Sequence, residues 1–258
     1  MFYRHLGSTD LKVSILGLGL VKIGRNTNIK YPKPFELPSD LEIVDLLCEA
    51  QKLGVNFLDT APAYGSSEER LGKILAEKFK RSDWIISTKV GEEFENNISS
   101  FNFSSGHINK SVDRSLRRLR TDYLDILLVH SDGQDLKIIE QDEVFITLEK
   151  LKTAGKIRAF GMSTKTIEGA KSAIDHSDLV MLTYNLQAPA EGVMIDYAQQ
   201  NNKGVLIKKG LQSGHLNNLD QAIQFIFEKP GVTSLITGTI NLKHLKENAR
   251  LVEAVGAE

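Results

Sequence analysis

The chain is poor in several features that would narrow its chemistry at once. It has a single cysteine, Cys48, in 258 residues, so no disulfide can form within it. Cys48 stands inside an apolar helical pattern and reads as packing rather than catalysis. No apolar run approaches the ~18 residues that a membrane-spanning helix requires. The opening stretch MFYRHLGSTD lacks the apolar segment of a signal peptide. These absences lead to an expected reducing, cytoplasmic setting and no membrane partner. Neither sign of charge is in excess: 32 Lys and Arg against 33 Asp and Glu leave a formal net charge of −1. That balance offers nothing to a nucleic-acid partner. Arg114, Arg117, Arg118 and Arg120 cluster on one predicted helix, where a solvated face explains them. The six histidines lack the paired spacing of a zinc site, so no metal is expected. What remains is an ordinary globular composition, 41% apolar and 25% charged.

Within it, Gly54 to Gly72 stands out, reading GVNFLDTAPAYGSSEERLG. Val55-Asn56-Phe57-Leu58 has the mostly apolar character of a short buried strand. Asp59 ends it, and a polar loop carries Tyr64 and Gly65. Ser66 and Glu69 then have capping-box spacing for a helix that buries Leu71, Ile74 and Leu75. The strand–loop–helix pattern recurs along the chain. Strand starts are expected at Leu16, Val55, Trp84, Leu124, Arg158, Leu179, Gly204 and Val232, each followed by a helical pattern. Such units in about 250 residues make a (β/α)8 barrel, of the TIM-barrel type within the α/β class. A hairpin precedes it, Phe2–Gly7 and Leu11–Ile15 joined by Ser8-Thr9-Asp10. No linker divides residues 1–258, so a single domain is expected. A doubly wound open sheet is disfavoured because no G-x-G-x-x-G opens the first helix. Two irregular stretches interrupt the pattern. Gly24 to Ser39 carries Pro32, Pro34 and Pro38 and precedes a helix capped by Ser39 or Asp40, and Gly91 to Gly106 is a polar loop.

In this register Asp59 and Tyr64 follow the second barrel strand, Lys89 follows the third, and His130 ends the fourth. All four side chains then share one rim, where barrel chemistry sits. A structural Asp59–Lys89 ion pair and a core His130 satisfied by backbone groups is the plainer reading of the same residues. The wording of the motifs goes further. LDTAPAYGSSEERLG, STKVG, RSLRRLRTDYLDILLVH, GMST and GTINLKHLKEN resemble their counterparts in the aldo-keto reductase family, and the resemblance runs from the hairpin to Asn248. It implies hydride transfer between a nicotinamide and a small carbonyl substrate. Tyr64 would be the general acid, with Lys89 favouring its phenolate and Asp59 holding Lys89 charged and in place. His130 would hydrogen-bond the carbonyl oxygen.

The resemblance also assigns a dinucleotide site. Ser163 would hold the carboxamide, with Thr164 where Asn is commoner and Met181 where Gln often stands. Tyr184, after the sixth strand, joins the expected set. Lys208 takes a position where an aromatic ring commonly stacks; its stem could pack on the nicotinamide or its ammonium meet the pyrophosphate. Leu211, Ser213 and Gly238 fit a phosphate cradle beside the last helix, and Glu247 and Asn248 match an adenine-contacting pair. Gly238 and His244 replace two family cations for a ribose 2′-phosphate, with Thr239, Lys208, Lys209 and Lys243 as substitutes. NADP(H) is expected from family preference, with NAD(H) the alternative. Little chain follows Asn248 for the C-terminal loop that covers the substrate in many members. Specificity then falls to the two irregular stretches, in which Phe94, Phe101 and Phe103 either wall the pocket or pack under their own loop. An open site of this kind suits small aldehydes, ketones or open-chain sugars. The alternatives are a sugar or alcohol dehydrogenase using the same site, a nicotinamide-binding regulatory subunit, and a Schiff-base aldolase through Lys89. The four intact residues argue against the second, and Asp59, by keeping Lys89 protonated, against the third.

Overall fold

The structure, a computed structural model, describes residues 1–29, 31, 34–141, 143–212 and 218–256. The expectations for Pro32 and Ser213 lie outside them. An antiparallel hairpin comes first, β1 (Tyr3–His5) with β2 (Lys12–Ser14). β3 (Leu16–Gly19), β4 (Phe57–Asp59) and β5 (Ile85–Val90) follow as parallel neighbours. A second hairpin, β6 (Glu92–Glu95) and β7 (Ile98–Phe101), stands apart from them. β8 (Leu124–His130), β9 (Ile157–Ser163), β10 (Leu179–Thr183), β11 (Gly204–Lys208) and β12 (Ser234–Thr237) complete a closed eight-stranded parallel barrel. The helices are α1 (Asp40–Lys52), α2 (Ser67–Lys78), α3 (Ser105–Leu119), α4 (Asp135–Glu140), α5 (Val144–Thr153), α6 (Ile167–His176), α7 (Gly192–Gln200), α8 (Leu219–Phe227) and α9 (Leu242–Gly256). The expected (β/α)8 barrel with its N-terminal hairpin is therefore the fold.

Strand alternation decides which side chains reach the barrel axis. Phe57, Ile126, Leu128, Ala159, Leu179, Met181 and Leu206 fill the interior as one cluster, while Leu58, Ile86, Leu127, Val129, Phe160 and Ile207 face the helix layer. Leu6, Leu11 and Val13 of the first hairpin pack into the interior cluster. Each such fully buried side chain contributes about 1.5–3 kcal/mol. Counting two residues onward from the interior positions reaches Asp59 on β4, Lys89 on β5, His130 on β8, Ser163 on β9 and Lys208 on β11. The same parity that builds the core thus delivers a ring of polar groups to its C-terminal mouth.

Some local expectations need correction. Ser39 caps α1 in a full capping box with Glu42, and Ile43, Leu46, Leu47 and Ala50 are its buried face. Ser66 precedes α2 but its side chain makes no capping bond, so the Ser66–Glu69 box is absent. The neighbouring Ser67 is buried instead, its hydroxyl donating to Leu20 O at 3.0 Å and lying 2.8 Å from Thr60 Oγ1. The entry of α2 is therefore pinned to the end of β3 and to the loop after β4. Lys89 lies inside β5 rather than after it. The Gly91–Gly106 stretch holds the β6–β7 hairpin, and α4 was not expected. Cys48 is only half-buried on α1. Arg114 and Arg118 are not simply solvated, since they pair with Glu93 and with Glu68 and Glu69. Among the described residues no helix is long and apolar enough to cross a membrane, and no group of three His, Cys, Asp or Glu could hold a metal ion.

Candidate active site

Tyr64 is placed by backbone packing rather than by a strand. A short 3-10 turn, Pro62–Tyr64, follows Asp59, with Pro62 pre-setting the turn. Gly24 lies flush against it: a Cβ there would collide with Tyr64 O and with the Ser67 backbone, while one at Gly65 would meet Gly24 O. Gly65 also sits at φ +62°, a conformation costly for any other residue. Gly24→Ala should therefore cost about 1–3 kcal/mol in overpacking. By displacing Tyr64 it should also cost roughly 10²-fold in turnover. Chemical denaturation together with steady-state kinetics checks both, and wild-type values for either would refute the close-packing account.

The four predicted side chains meet at one cavity of about 1090 Å3. Lys89 Nζ donates to Asp59 Oδ1 at 2.7 Å and to Thr60 O at 2.8 Å. Both partners are nearly inaccessible, at 2% and 5% side-chain exposure. Lys89 Nζ also stands 4.9 Å from the centre of the Tyr64 ring. The Tyr64 and His130 rings meet edge to face, with centres 6.4 Å apart. Burial pushes the Tyr64 phenol above its ordinary pKa; Lys89 pulls the other way by charge and hydrogen bonding, and Asp59 adds to the rise. Burial works to lower the Lys89 pKa, but the Asp59 carboxylate, joined by Tyr64 whenever the phenol ionises, outweighs it and holds the ammonium above its usual range. A permanently charged lysine beside a neutral phenol is the outcome.

One partner in this site was not foreseen. Glu92, at the start of β6, puts Oε2 2.7 Å from His130 Nδ1. The approach is short but off the line of the ring N–H, so at rest the pair is a close charge contact rather than an in-line hydrogen bond. Ser99 of β7 donates to the other oxygen of Glu92 at 2.7 Å. Burial opposes the Glu92 charge, yet His130, Ser99 and Arg25 overcome it and hold the carboxyl down at about 2. Burial lowers the His130 pKa, against Glu92 and with Lys89 and Lys208. The signal available in the sequence was Asn96-Asn97, both left-handed here, a turn pair between two short runs. Phe101 and Phe103 stack on each other, Phe103 lies against Gly91, and Phe94 carries the Arg25 guanidinium. These rings pack within and beside their own loop, and the hairpin offers the cavity Glu92 and Ser99 instead.

The cavity continues past Ser163 and Lys208 to Leu211, Gly238, Thr239, His244, Glu247 and Asn248. These residues fit a dinucleotide. Thr237 Oγ1 is buried there without a partner, and Gly238 leaves room that a Cβ would take from Tyr31 Oη. Tyr31 comes from the Gly24–Ser39 stretch and receives the Lys22 ammonium over its ring, Nζ lying 3.8 Å from the ring centre. Other placements differ from expectation. Lys208 Nζ donates to Ser163 Oγ and to Thr164 O, both at 2.7 Å, so at rest it neither lies flat as a stacking stem nor reaches toward phosphate. Burial and the neighbouring Lys209 bring its pKa down to about 7. Thr164 is fully buried with Oγ1 unpartnered. Tyr184 is not brought to the cavity: its ring stacks on Phe225, centres 4.8 Å apart, because Gly192 opens a slot for it there.

A barrel whose C-terminal mouth joins a phenol, an ammonium and a carboxylate at one end of a long cavity suits an oxidoreductase that transfers hydride from a bound dinucleotide. Comparison with known proteins agrees. The model of the Aldo/keto reductase family matches residues 15–221. The chain superposes on the crystal structure of PA4992, described as an aldo-keto reductase from Pseudomonas aeruginosa, with a TM-score of 0.90 and 47% identity, over 98% of this chain and 94% of that one. With the holo form of aldo-keto reductase AKR11C1 from Bacillus halodurans the TM-score is 0.83 at 26% identity, over 98% and 91% of the two chains. L-Galactose dehydrogenase of Arabidopsis thaliana is 34% identical over 83% of this chain and 66% of its own length. The chain belongs to the aldo-keto reductase family and is an NAD(P)H-dependent oxidoreductase.

Proposed function

We propose that this enzyme reduces small aldehydes and ketones, open-chain sugars among them, with NADPH as hydride source and Tyr64 as proton donor. The observation that carries the reading is the buried Asp59–Lys89 pair set against a neutral Tyr64. When bound, the nicotinamide supplies the hydride. As negative charge develops on the carbonyl oxygen, Tyr64 gives it a proton, and the Lys89 ammonium stabilises the phenolate left behind. Asp59 and Thr60 O hold Lys89 in register for this. A phenol kept protonated at neutral pH suits the reducing direction. Leu211, Gly238 and Thr239 are the residues we assign to the phosphates, Glu247 and Asn248 to the adenine, and Ser163 to the carboxamide. The Lys208 ammonium now on Ser163 must then share or yield that contact.

For the 2′-phosphate the cavity offers His244 and Lys209. Fluorescence titration should give NADPH a Kd at least ~10-fold below that of NADH, about 1.4 kcal/mol of phosphate recognition. Equal or tighter NADH binding would reverse the cofactor assignment; one relative, from Escherichia coli, is named an NADH-specific methylglyoxal reductase. A carbonyl panel with the tighter cofactor tests the activity, and no turnover of any member would refute it. Oxidation of a sugar or alcohol at the same site is favoured by a single feature, the Glu92 carboxylate against His130, which lets the imidazole accept from a hydroxyl.

A further inference from the structure

Lys208 ends β11, yet its ammonium does not stay over its own strand. β10 lies between β9 and β11, with Met181 in register with Ser163 on one side and Leu206 on the other. The lysine side chain therefore crosses the end of β10 to bring Nζ to Ser163 Oγ and Thr164 O, each at 2.7 Å. Both partners are neutral oxygens, whereas Lys89, the other lysine of the mouth, meets a carboxylate at 2.7 Å. The cavity lining includes the apolar Met181 and Ile236, so the Lys208 charge is poorly screened. Ser163 is the residue assigned to the nicotinamide carboxamide, and that amide is attached directly to the reacting ring. The reduced ring is neutral, while the oxidised ring is a pyridinium with a full positive charge. We propose that Lys208 is a specificity residue that reads the redox state of the cofactor, its ammonium beside Ser163 accepting the neutral reduced nicotinamide and repelling the cationic oxidised one.

An aromatic ring at this position, which family resemblance would supply, presents a π face that attracts a cation. An ammonium reverses that preference. The oxidised cofactor left after each turnover is then the form held less well, which limits inhibition by product. The discrimination also depends on pH, because burial and Lys209 bring the Lys208 pKa down to about 7. The charged groups facing Lys208 are Lys209 beside it, Glu191 ahead of α7, Asp135 on α4, Lys165 after β9 and, at the end of β8, the titratable His130. Glu191 and Asp135 favour the ammonium, while Lys209 and Lys165 oppose it. Below the Lys208 pKa the charge is present and the oxidised form is penalised. As pH rises through it the amine becomes neutral and the penalty fades.

The inference rests on the reductase reading, and its test is a binding measurement that needs no turnover. Calorimetric titration of the protein with NADPH and with NADP+ gives a ratio of Kd values, from which contacts common to both forms, the 2′-phosphate included, cancel. In the wild type NADP+ should bind ~10-fold or more weaker than NADPH near pH 6, and the ratio should shrink at least ~3-fold by pH ~8.5. Lys208→Met keeps an unbranched stem without the charge and should bring the two forms within ~2–3-fold of each other at both pH values. Lys208→Arg stays charged throughout and should hold the ~10-fold ratio at the higher pH. Equal weakening of both forms in Lys208→Met would make Lys208 a phosphate ligand and overturn the inference. So would a wild-type ratio kept in that variant, or a ratio that still falls with pH in Lys208→Arg. Should either variant fail to fold, a wild-type ratio that does not move with pH is enough to overturn it. NADH and NAD+ should show the same ratio, so a reversed cofactor assignment leaves the inference standing. If no dinucleotide binds in either redox state, the reductase reading falls and takes the inference with it.

Discussion

Tyr64→Phe should lower kcat/KM for carbonyl reduction by ~10²–10⁴-fold, the range associated with loss of a positioned proton donor. Phenylalanine keeps the ring, so its edge contact with His130 and the approach of Lys89 to its face are retained. The 3-10 turn is held by backbone contacts with Gly24 and by Arg25 Nη1 donating to Ala63 O at 3.0 Å, none of which uses the hydroxyl. Folding stability should therefore stay within ~1 kcal/mol of wild type and dinucleotide affinity within ~2-fold, as expected for a change that removes no packing. Stopped-flow measurement of nicotinamide oxidation separates the chemical step from release. A variant that keeps a tenth or more of the wild-type rate would mean that another group, or water, supplies the proton, and the proposed role of Tyr64 would be lost.

How far the site could be read in advance depended on what kind of element carried each residue. Asp59, Lys89 and His130 were legible because buried parallel strands are apolar runs, and alternation assigns the terminal residue a side once the run is recognised. The register then follows: Asp59 pairs with Ser87, Lys89 with Leu128 and His130 with Ser163 around the barrel. Glu92 was not legible. GEEFENNISSF has no apolar face to bury, and its carboxylates look like ordinary surface charge until the hairpin swings one of them onto His130. The helix α4, six residues long, is too short to show a period. Lys208 was placed on the correct rim by strand alternation, but its partners were not. A buried ammonium takes the nearest oxygens, and these are Ser163 Oγ and Thr164 O. Tyr184 was misplaced for a related reason. A ring after a barrel strand turns inward or outward according to local packing, and Gly192 and Phe225 hold it outside.

The Asp59–Lys89 pair permits a test that separates structure from chemistry. Lys89→Met alone leaves the Asp59 carboxylate buried without its counter-ion, which should cost about 3–5 kcal/mol of stability. Pairing that change with Asp59→Asn removes both charges, and methionine is long and flexible enough to fill the space. The double variant should recover most of the loss, short of about 1 kcal/mol for the hydrogen bond no longer given to Thr60 O. Its activity should not recover. Without an ammonium the phenolate of Tyr64 is unsupported in a site where burial already pushes its pKa up, and turnover should stay ~10²–10⁴-fold down in both variants. Urea denaturation and single-turnover kinetics read the two quantities independently. If the double variant regained activity along with stability, the pair would be a structural ion bridge and the chemistry would belong elsewhere. If Lys89→Met lost neither, the pair would contribute to neither stability nor catalysis. Only a recovery confined to stability fits a barrel that buries an ion pair at its mouth in order to hold one cation beside one phenol.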